Sequence, residues 1–391
     1  MSTLPPAQWT KRSGLAALVK ALGAQNIRWV GGSVRDTLLD HPVNDVDCAT
    51  THLPDTVMRL CEDAGIRTVP TGIDHGTVTA VMHDGPVEIT TLRRDVSTDG
   101  RRATIAFAGD WQEDAARRDF TINALYAHPE TLEIFDWFGG LADLADRRVR
   151  FIGDARERIA EDHLRILRYY RFQARFGAAL DTAAEEACAD LADTLKGLSR
   201  ERIGAELLAL LALPDPHPTL ARMFDRGVLG VIVPEAGREQ IALLGDLVKR
   251  ERQHDVPPEP LRRLAALLPC DPGIAETVAA RLRLSKTQRA RLISTARRSA
   301  SEQHDPRALA YRLGKPLALD RLLLLGRDLS ALAGWEPPVF PLKGGAIVAR
   351  GVAAGPDVAR ILQAVERRWV DEAFPGADRV ETLLDETLRE R

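Results

Sequence analysis

The segment 30–50, VGGSVRDTLLDHPVNDVDCAT, constrains the fold of this chain more than any other stretch. An apolar run that ends at Val30 predicts a strand, and Gly31 and Gly32 permit a tight turn after it. Ser33 then stands where a polar side chain caps the start of a helix. A strand, a glycine turn and a helix start in this order direct backbone N–H groups toward an anion such as phosphate.

A pair of carboxylates follows this turn. Asp45 and Asp47 begin a second predicted strand, where residues two apart lie on the same face. Two carboxylates side by side repel each other unless a cation joins them. Mg²⁺ suits such oxygen ligands and shares its other positions with waters and substrate phosphates. The combination predicts phosphoryl or nucleotidyl transfer, whereas the alternative is an ordinary turn beside two solvated acids.

Three motifs together resemble a known family. GGSVRD followed by DVD is similar to the head-domain signature of class II tRNA nucleotidyltransferases and bacterial poly(A) polymerases, within the polymerase-beta-like nucleotidyltransferase superfamily. The run 117–124, RRDFTINA, resembles the RRDFTxNA motif of the family, and 161–165, EDHLR, resembles its EDxxR motif. The resemblance covers roughly the first half of the chain and implies an α+β fold.

In that fold a head domain with a small mixed sheet precedes an all-helical neck, body and tail. The implied boundaries are a catalytic head over 1–150, a neck with a nucleotide-selecting helix over 151–213, a body over 214–335 and a tRNA-contacting tail over 336–391.

The resemblance also implies which residues act. Asp45 and Asp47 are the expected ligands of two Mg²⁺ ions, and Glu88, on a predicted strand, is the expected third catalytic carboxylate. Arg118 is an expected donor to the triphosphate, and Asp119 is suited to accept a hydrogen bond from a ribose hydroxyl. The full set of expected nucleotide-binding residues is Gly31, Gly32, Ser33, Arg35, Asp36, Arg118, Asp119, Asn123, Glu161, Asp162, Arg165, Arg168 and Arg171.

The run Glu161–Phe176 predicts one helix with an apolar face and an arginine-rich face. Cytosine and adenine each present an exocyclic amine beside a ring-nitrogen acceptor, whereas uracil and guanine present a carbonyl beside an N–H. The Asp162 carboxylate next to the Arg165 guanidinium complements the first two bases and mismatches the others. Arg168 and Arg171 are expected to contact phosphate or support this pair, although an arginine stripe is also typical of a solvated face.

Other stretches carry weaker signals. Arg93–Arg102 is polar and aperiodic, which predicts a mobile loop, and by the resemblance such a loop accompanies addition of A. Thr121–Ala127 predicts a strand. The segment Arg281–Arg298 has seven basic and no acidic residues, so it is either a surface for phosphate backbone or an ordinary exposed helix.

Composition sets outer limits. The 391 residues are 45% hydrophobic and 28% charged with a net charge of −3, so RNA binding would depend on local basic patches. The four cysteines lack C-x-x-C spacing, which favours neither zinc nor a disulfide framework and predicts a reducing cytoplasm. Neither a signal peptide nor a membrane span is evident.

The expected activity is template-independent addition of CCA to the 3′ end of tRNA, with CTP and ATP as substrates and Mg²⁺ as cofactor. No membrane and no obligate protein partner are expected. The alternatives are a poly(A) polymerase, which shares every motif, and a catalytically inactive RNA-binding relative.

Overall fold

The structure is a computed structural model that describes residues 2–98, 103–107, 109–178, 180–299 and 305–390. The chain forms two compact units, residues 1–232 and residues 233–391, which are described separately. This division is coarser than the four segments predicted from the sequence, so the head, neck, body and tail boundaries stay a prediction.

The first unit is built on a mixed sheet. Among the described residues, seven strands form it in the order β3-β4-β5-β2-β1-β8-β9, and every neighbouring pair is antiparallel except β2 and β5. A separate hairpin joins β6 and β7. The strands are β1 (Ile27–Val30), β2 (Val46–Thr50), β3 (Arg67–Gly72), β4 (Thr77–Val81), β5 (Val87–Thr91), β6 (Arg93–Thr98), β7 (Ala103–Phe107), β8 (Tyr126–Ala127) and β9 (Ile134–Phe135).

Helices cover and extend this sheet. The helix α2 packs on β1 and β2, while α3 packs on β3, β4 and α1. The helices of the first unit are α1 (Ser13–Leu22), α2 (Gly32–Leu38), α3 (Pro54–Asp63), α4 (Trp111–Ala116), α5 (Gly140–Ala145), α6 (Ala155–Glu161), α7 (Arg165–Phe176), α8 (Thr182–Asp190), α9 (Arg200–Leu211), α10 (His217–Asp225) and α11 (Val228–Ile232).

The structure corrects two local predictions. Arg93–Thr98 is the strand β6 and pairs with β7, so the predicted loop is wrong over those residues, while 99–102 lie outside the described part. Pairing with a partner strand has overridden an aperiodic sequence. Thr121–Asn123 is a 3₁₀ turn, in which the Asn123 amide donates to the Phe120 carbonyl and the Ala124 amide to the Thr121 carbonyl, and the strand that follows is only Tyr126–Ala127.

An aromatic cluster ties this turn to α7. Phe120 packs on Phe151 with ring centroids 4.8 Å apart and edge-on against Phe172 at 5.4 Å. Tyr169 stacks on Phe151 at 5.9 Å, and all four rings are buried. Large buried rings in such offset and edge contacts hold their backbones closely. The RRD triplet and the arginine face of α7 are therefore fixed to each other.

The second unit is helical over its described residues. One buried core forms between α16, α18, α19 and α20 around Val365 and Trp369. The helices are α12 (Arg238–Gln253), α13 (Pro260–Ala266), α14 (Pro272–Arg281), α15 (Lys286–Ala296), α16 (Pro306–Leu313), α17 (Lys315–Leu325), α18 (Gly344–Ala349), α19 (Pro356–Asp371) and α20 (Ala377–Arg389).

The basic segment 281–298 does not form one exposed helix. It spans the end of α14, a turn and α15. Its charges are partly neutralised, since Arg281 pairs with Glu235, and Arg291 donates to the fully buried carboxylate of Asp320 at 2.8 Å. A continuous phosphate-binding stripe is therefore not what this segment presents.

The mixed sheet followed by helices confirms the predicted α+β fold class. Across the described residues, no helix combines the length and apolar character that a membrane crossing requires.

A substitution at Gly140 tests how closely α5 packs against the turn that follows the RRD triplet. A Cβ there would lie 2.3 Å from the backbone oxygen of Thr121, so Gly140→Ala forces backbone to move. We expect the free energy of unfolding, measured with urea, to fall by about 1–3 kcal/mol. Gly197→Ala is the matched control because nothing lies within 4 Å of its Cβ position. Equal stability of the two variants would show that the turn yields freely.

Candidate nucleotidyl-transfer site

Two carboxylates meet on the central parallel strand pair. In the register of β2 and β5, Asp47 is directly opposite Glu88, so both side chains lie on one face of the sheet. Asp45 immediately precedes β2 and is exposed, at the position expected two residues from Asp47. The structure thus places Asp47 opposite Glu88, with Asp45 near enough for its charge to act on Asp47, while the catalytic roles of these three acids stay a prediction.

The electrostatics of this face are unfavourable without a cation. Burial, the Glu88 charge and the Asp45 charge raise the pKa of Asp47 to about 6, while Arg118 and Arg35 oppose the shift. The resemblance found in the sequence implies a divalent metal ion at this face. No group of three or more metal-ligating side chains is assembled among the described residues. One or two carboxylates are nevertheless enough for an ion that keeps waters and binds substrate phosphates, so this donor set fits such an ion.

The glycine turn has the predicted form but a different cap. Gly31 has φ 69°, which favours glycine, and it precedes the first residue of α2. Ser33 lies inside the helix and its hydroxyl donates to the Val30 carbonyl at 3.3 Å, so the prediction that it caps the helix is wrong. A Cβ on Gly31 would sit 3.4 Å from Nη1 of Arg118. The guanidinium of Arg118 therefore lies directly beside the turn.

Arg35 is a structural centre of the site. Its guanidinium donates to Asp36 at 2.8 Å and to Asn123 at 2.5 Å. It also lies about 5 Å from the ring centroids of Phe172 (5.1 Å) and Phe176 (5.0 Å) on α7. Burial lowers the pKa of Arg35 below its usual value, and Asp36 counteracts this. Arg35 joins the glycine turn to α7, and its expected contact with the triphosphate stays a prediction.

Arg118 is held by two residues that the sequence did not single out. Its Nε donates to the Tyr126 hydroxyl at 2.9 Å, and that hydroxyl donates to Asp114 at 2.5 Å. Asp114 also accepts from Arg117 at 2.8 Å. Burial raises the pKa of Asp114, but the neighbouring guanidinium groups and the Tyr126 hydroxyl bring it below its usual value. Only the i, i+4 spacing of Asp114 and Arg118 could have indicated this network.

Asp119 connects the turn to the arginines of α7. One carboxylate oxygen accepts from the Phe120 amide at 2.8 Å and from Asn123 at 2.9 Å, and the other accepts from Nε of Arg168 at 2.7 Å. Burial raises the pKa of this carboxylate, but Arg168 and the hydrogen bond from Asn123 hold it below its usual value. Asp119 is therefore an ionised acceptor with a fixed orientation.

The predicted selecting helix is interrupted. α6 ends at Glu161, Asp162 adopts an extended conformation (φ −150°, ψ 103°), and α7 begins at Arg165. The prediction of one helix over Glu161–Phe176 is wrong, because the Asp162 carboxylate accepts from the Leu164 amide at 3.1 Å and competes with helical hydrogen bonding.

The break separates the two side chains expected to form a base-like edge. Asp162 pairs with Arg202 of α9 at 2.7 Å. Arg165 instead donates to Glu161 at 2.5 Å and to the carbonyls of Arg158 and Arg117, both at 2.9 Å. A preformed pair of Asp162 and Arg165 is thus not present, and their roles in base selection stay a prediction.

Arg171 and Arg168 face α9 as well. Arg171 donates to Glu206 at 2.6 Å, and Arg168 lies 3.7 Å from the same carboxylate. Sequence reasoning did not find Arg202 or Glu206, since nothing local links positions in α9 to Asp162 or α7. Residues of α9 therefore contact Asp162 and both of these arginines.

Two known families match parts of this chain. Residues 27–150 match the family described as "Poly A polymerase head domain", and residues 177–238 match "Probable RNA and SrmB- binding site of polymerase A". The sheet, the glycine turn and the acidic pair all lie in the first match. The fold and site therefore define a nucleotidyltransferase with a poly(A) polymerase head.

Individual relatives narrow the class. The chain is 34% identical over 386 residues to the mouse (Mus musculus) "CCA tRNA nucleotidyltransferase 1, mitochondrial", covering 92% of this chain and 87% of the relative. It is 40% identical over 225 residues to a Streptococcus pneumoniae "CCA-adding enzyme", covering 57% and 55%. The chain belongs to the CCA tRNA nucleotidyltransferase family.

A solved structure agrees in fold. The CCA-adding enzyme of Bacillus stearothermophilus in complex with CTP superimposes with a TM-score of 0.72 at 24% identity, covering 98% of this chain and 99% of the other. At this identity the similarity establishes the shared fold.

A substitution at Tyr126 tests the hydrogen-bond network that holds Arg118. Tyr126→Phe leaves Asp114 and Nε of Arg118 each without one buried partner, so we expect the free energy of unfolding to fall by about 1–3 kcal/mol. Tyr170→Phe is the matched control, because the buried Tyr170 hydroxyl has no hydrogen-bond partner among the described residues. Urea denaturation measures both, and a loss in Tyr170→Phe as large as that in Tyr126→Phe would contradict the assignment.

Proposed function

We propose that this protein adds CCA to the 3′ end of tRNA from CTP and ATP and releases pyrophosphate. The observation that carries the proposal is the register that sets Asp47 opposite Glu88, beside a glycine turn bordered by Arg118. Family membership gives the acceptor, since the relatives that span most of the chain are named for CCA and tRNA.

The acids of the sheet face prepare the reacting atoms. Asp45 and Asp47, with Glu88 beside them, would hold Mg²⁺, which when bound lowers the pKa of the tRNA 3′-hydroxyl and neutralises charge on the triphosphate. The 3′-hydroxyl loses its proton to water and its oxygen forms a bond to the α-phosphorus, while the bond between the α-phosphorus and the oxygen that bridges to the β-phosphorus breaks and pyrophosphate leaves. The role of the carboxylates is to keep these groups in line on one face of the sheet.

Donors around the turn bind the nucleotide. Nη1 of Arg118, which lies beside Gly31, would donate to phosphate oxygens that approach the start of α2. Both oxygens of Asp119 already accept from the protein, one from the Phe120 amide and Asn123 and the other from Arg168, so a ribose hydroxyl would bind Asp119 by replacing one of these donors. A deoxyribonucleotide would lack that donor.

Base choice falls to Asp162 and Arg165. In the resting structure Asp162 is already an oriented acceptor, whereas Arg165 donates to Glu161 and to two backbone carbonyls. Reading cytosine or adenine therefore requires the Arg165 guanidinium to exchange some of these acceptors for a ring nitrogen.

A cytoplasmic location stays a prediction. The four cysteines are free thiols and three of them are buried.

The two alternatives make different products. A poly(A) polymerase is less favoured because relatives named for CCA addition match 92% of the chain. An inactive RNA-binding relative is less favoured because the Asp47 and Glu88 register and the Arg118 network are intact.

Incubation of the protein with Mg²⁺, CTP, ATP and a tRNA that lacks its 3′ CCA distinguishes all three. Sequencing of the product should show CCA, whereas oligo(A) would indicate the polymerase and unchanged tRNA the inactive relative.

Asp47→Asn should lower the rate of addition about a thousandfold or more, because one metal-binding charge is lost. Asp63→Asn, on the exposed end of α3, is the control and should leave the rate unchanged. Full activity of Asp47→Asn would refute the proposed metal site.

Substitution of the base-reading pair provides a second test. Asp162→Ala and Arg165→Ala should each reduce the preference for CTP over UTP at least about tenfold, since hydrogen-bonding sites discriminate through groups left unpaired by the wrong base. Single-nucleotide incorporation with each of the four triphosphates measures this, and tRNA binding measured in parallel should not change. Variants that still choose C and A normally would exclude this pair from selection.

A further inference from the structure

The basic segment 281–298 contains a tight turn between two helices. Residues 282–285 join the end of α14 to the start of α15. Arg283 has φ 54°, the left-handed conformation that lets the chain reverse within so few residues. Ser285 then caps α15, because its hydroxyl accepts from the Gln288 amide at 3.3 Å. Two helices joined by a turn of this length are typical of the helix-turn-helix motif, which binds DNA.

The inner side of α15 is held by three other helices. α15 packs against α14, α13 and α17. Arg291 donates to Asp320 of α17 at 2.8 Å and 3.1 Å. The apolar residues buried between α14 and α15, each at most 1% exposed, are Val278, Ala279, Leu292 and Ala296. The orientation of α15 relative to α14 is therefore fixed, as a rigid recognition surface requires.

The outer side of α15 is basic and carries small side chains. No residue of α15 is acidic, and Arg289 is paired with Glu276 of α14. The exposed residues at the start of α15 are Ser285, Lys286, Thr287, Arg289 and Ala290, and those of α14 are Gly273, Thr277 and Ala280. A surface without bulky side chains allows a duplex to approach the helix backbone closely.

This surface fits the major groove of B-form DNA better than duplex RNA. A helix with its side chains is about 10–12 Å across, and the DNA major groove is about 12 Å wide. Lys286 would pair with a phosphate, while Thr287 and Ala290 carry methyl groups of the kind that contact the thymine methyl. The major groove of an RNA duplex is deep and too narrow for side chains to read.

We propose that α14 and α15 form a second nucleic-acid surface of this protein, which binds double-stranded DNA with the start of α15 in the major groove. α14 then crosses the phosphate backbone, as the first helix of this motif does. Both helices belong to the second unit, whereas the residues of the proposed nucleotidyl-transfer site belong to the first. DNA binding is thus a further activity that does not rest on the proposed function.

The test is binding of the full chain to a fluorescently labelled DNA duplex of mixed sequence, measured by fluorescence anisotropy. At low salt we expect a Kd in the micromolar range, since phosphate contacts supply most of such binding. Lys286→Gln should weaken binding about five- to tenfold and reduce the slope of log Kd against log salt by about one, because one phosphate contact is lost. Lys286 is exposed, so the variant should fold normally.

Lys249→Gln is the matched control. It removes the same charge from an exposed lysine of the same unit, but Lys249 lies on α12 and pairs with Asp246. It should bind DNA as the unmodified protein does. Lys286→Gln should also keep the KM for tRNA in CCA addition. An equal loss in Lys249→Gln, no binding by the unmodified protein, or a rise in the KM for tRNA as large as the loss of DNA affinity would overturn the proposal.

Two groove ligands and an RNA duplex test the docking geometry. Methyl green, which occupies the major groove, should displace the protein, whereas netropsin, which occupies the minor groove, should not. Displacement by netropsin as strong as that by methyl green would contradict docking of α15 in the major groove. With an RNA duplex of the same sequence, Lys286→Gln should have a smaller effect than with DNA. An equal effect would assign the surface to duplex RNA and overturn the proposal.

Discussion

The parallel pairing of β2 and β5 is the constraint on which the rest of the site depends. Its register sets Asp47 opposite Glu88, and like charges directly opposite on adjacent strands are destabilising. Partial burial adds to this cost, as the raised pKa of Asp47 shows. The nearby charges of Arg118 and Arg35 offset part of the repulsion. The arginines beside this acidic face therefore reduce its electrostatic cost even before any substrate is bound.

Those arginines need their own supports. Arg118 depends on Tyr126 and Asp114, while Arg35 depends on Asp36, Asn123 and the rings of α7. Each guanidinium is bonded or packed on more than one side, which limits its rotation and fixes its position relative to the glycine turn. A donor that is already oriented loses less conformational entropy when a phosphate binds than a flexible one does. The residues that hold Arg118 and Arg35 therefore keep two guanidinium groups in fixed positions beside the glycine turn, where they form a candidate phosphate-binding site.

The sequence predicted what is local and failed where distant contacts decide. Short apolar runs predicted the strands around Gly31 and Asp47. The resemblance to a known family identified the site motifs. No glycine or proline marks the helix break at Asp162. The break results from the hydrogen bond that the Leu164 amide donates to the Asp162 carboxylate. The Asp162 to Arg202 contact joins residues forty apart, so no periodicity could reveal it. Likewise β6 forms because β7 pairs with it, although its own sequence is aperiodic.

The separation of Arg165 from Asp162 has an energetic consequence for the base selection proposed for this pair. In the resting state the Arg165 guanidinium satisfies its donors with Glu161 and two carbonyls, so turning toward a base costs those hydrogen bonds. In this proposal cytosine and adenine return an acceptor through a ring nitrogen, and their amine donates to the Asp162 carboxylate. Uracil and guanine present an N–H to the guanidinium and a carbonyl to the carboxylate, which leaves donors and acceptors unpaired. Only a base that replaces the lost acceptor can offset the rearrangement, and the resting contacts of Arg165 thereby contribute to discrimination.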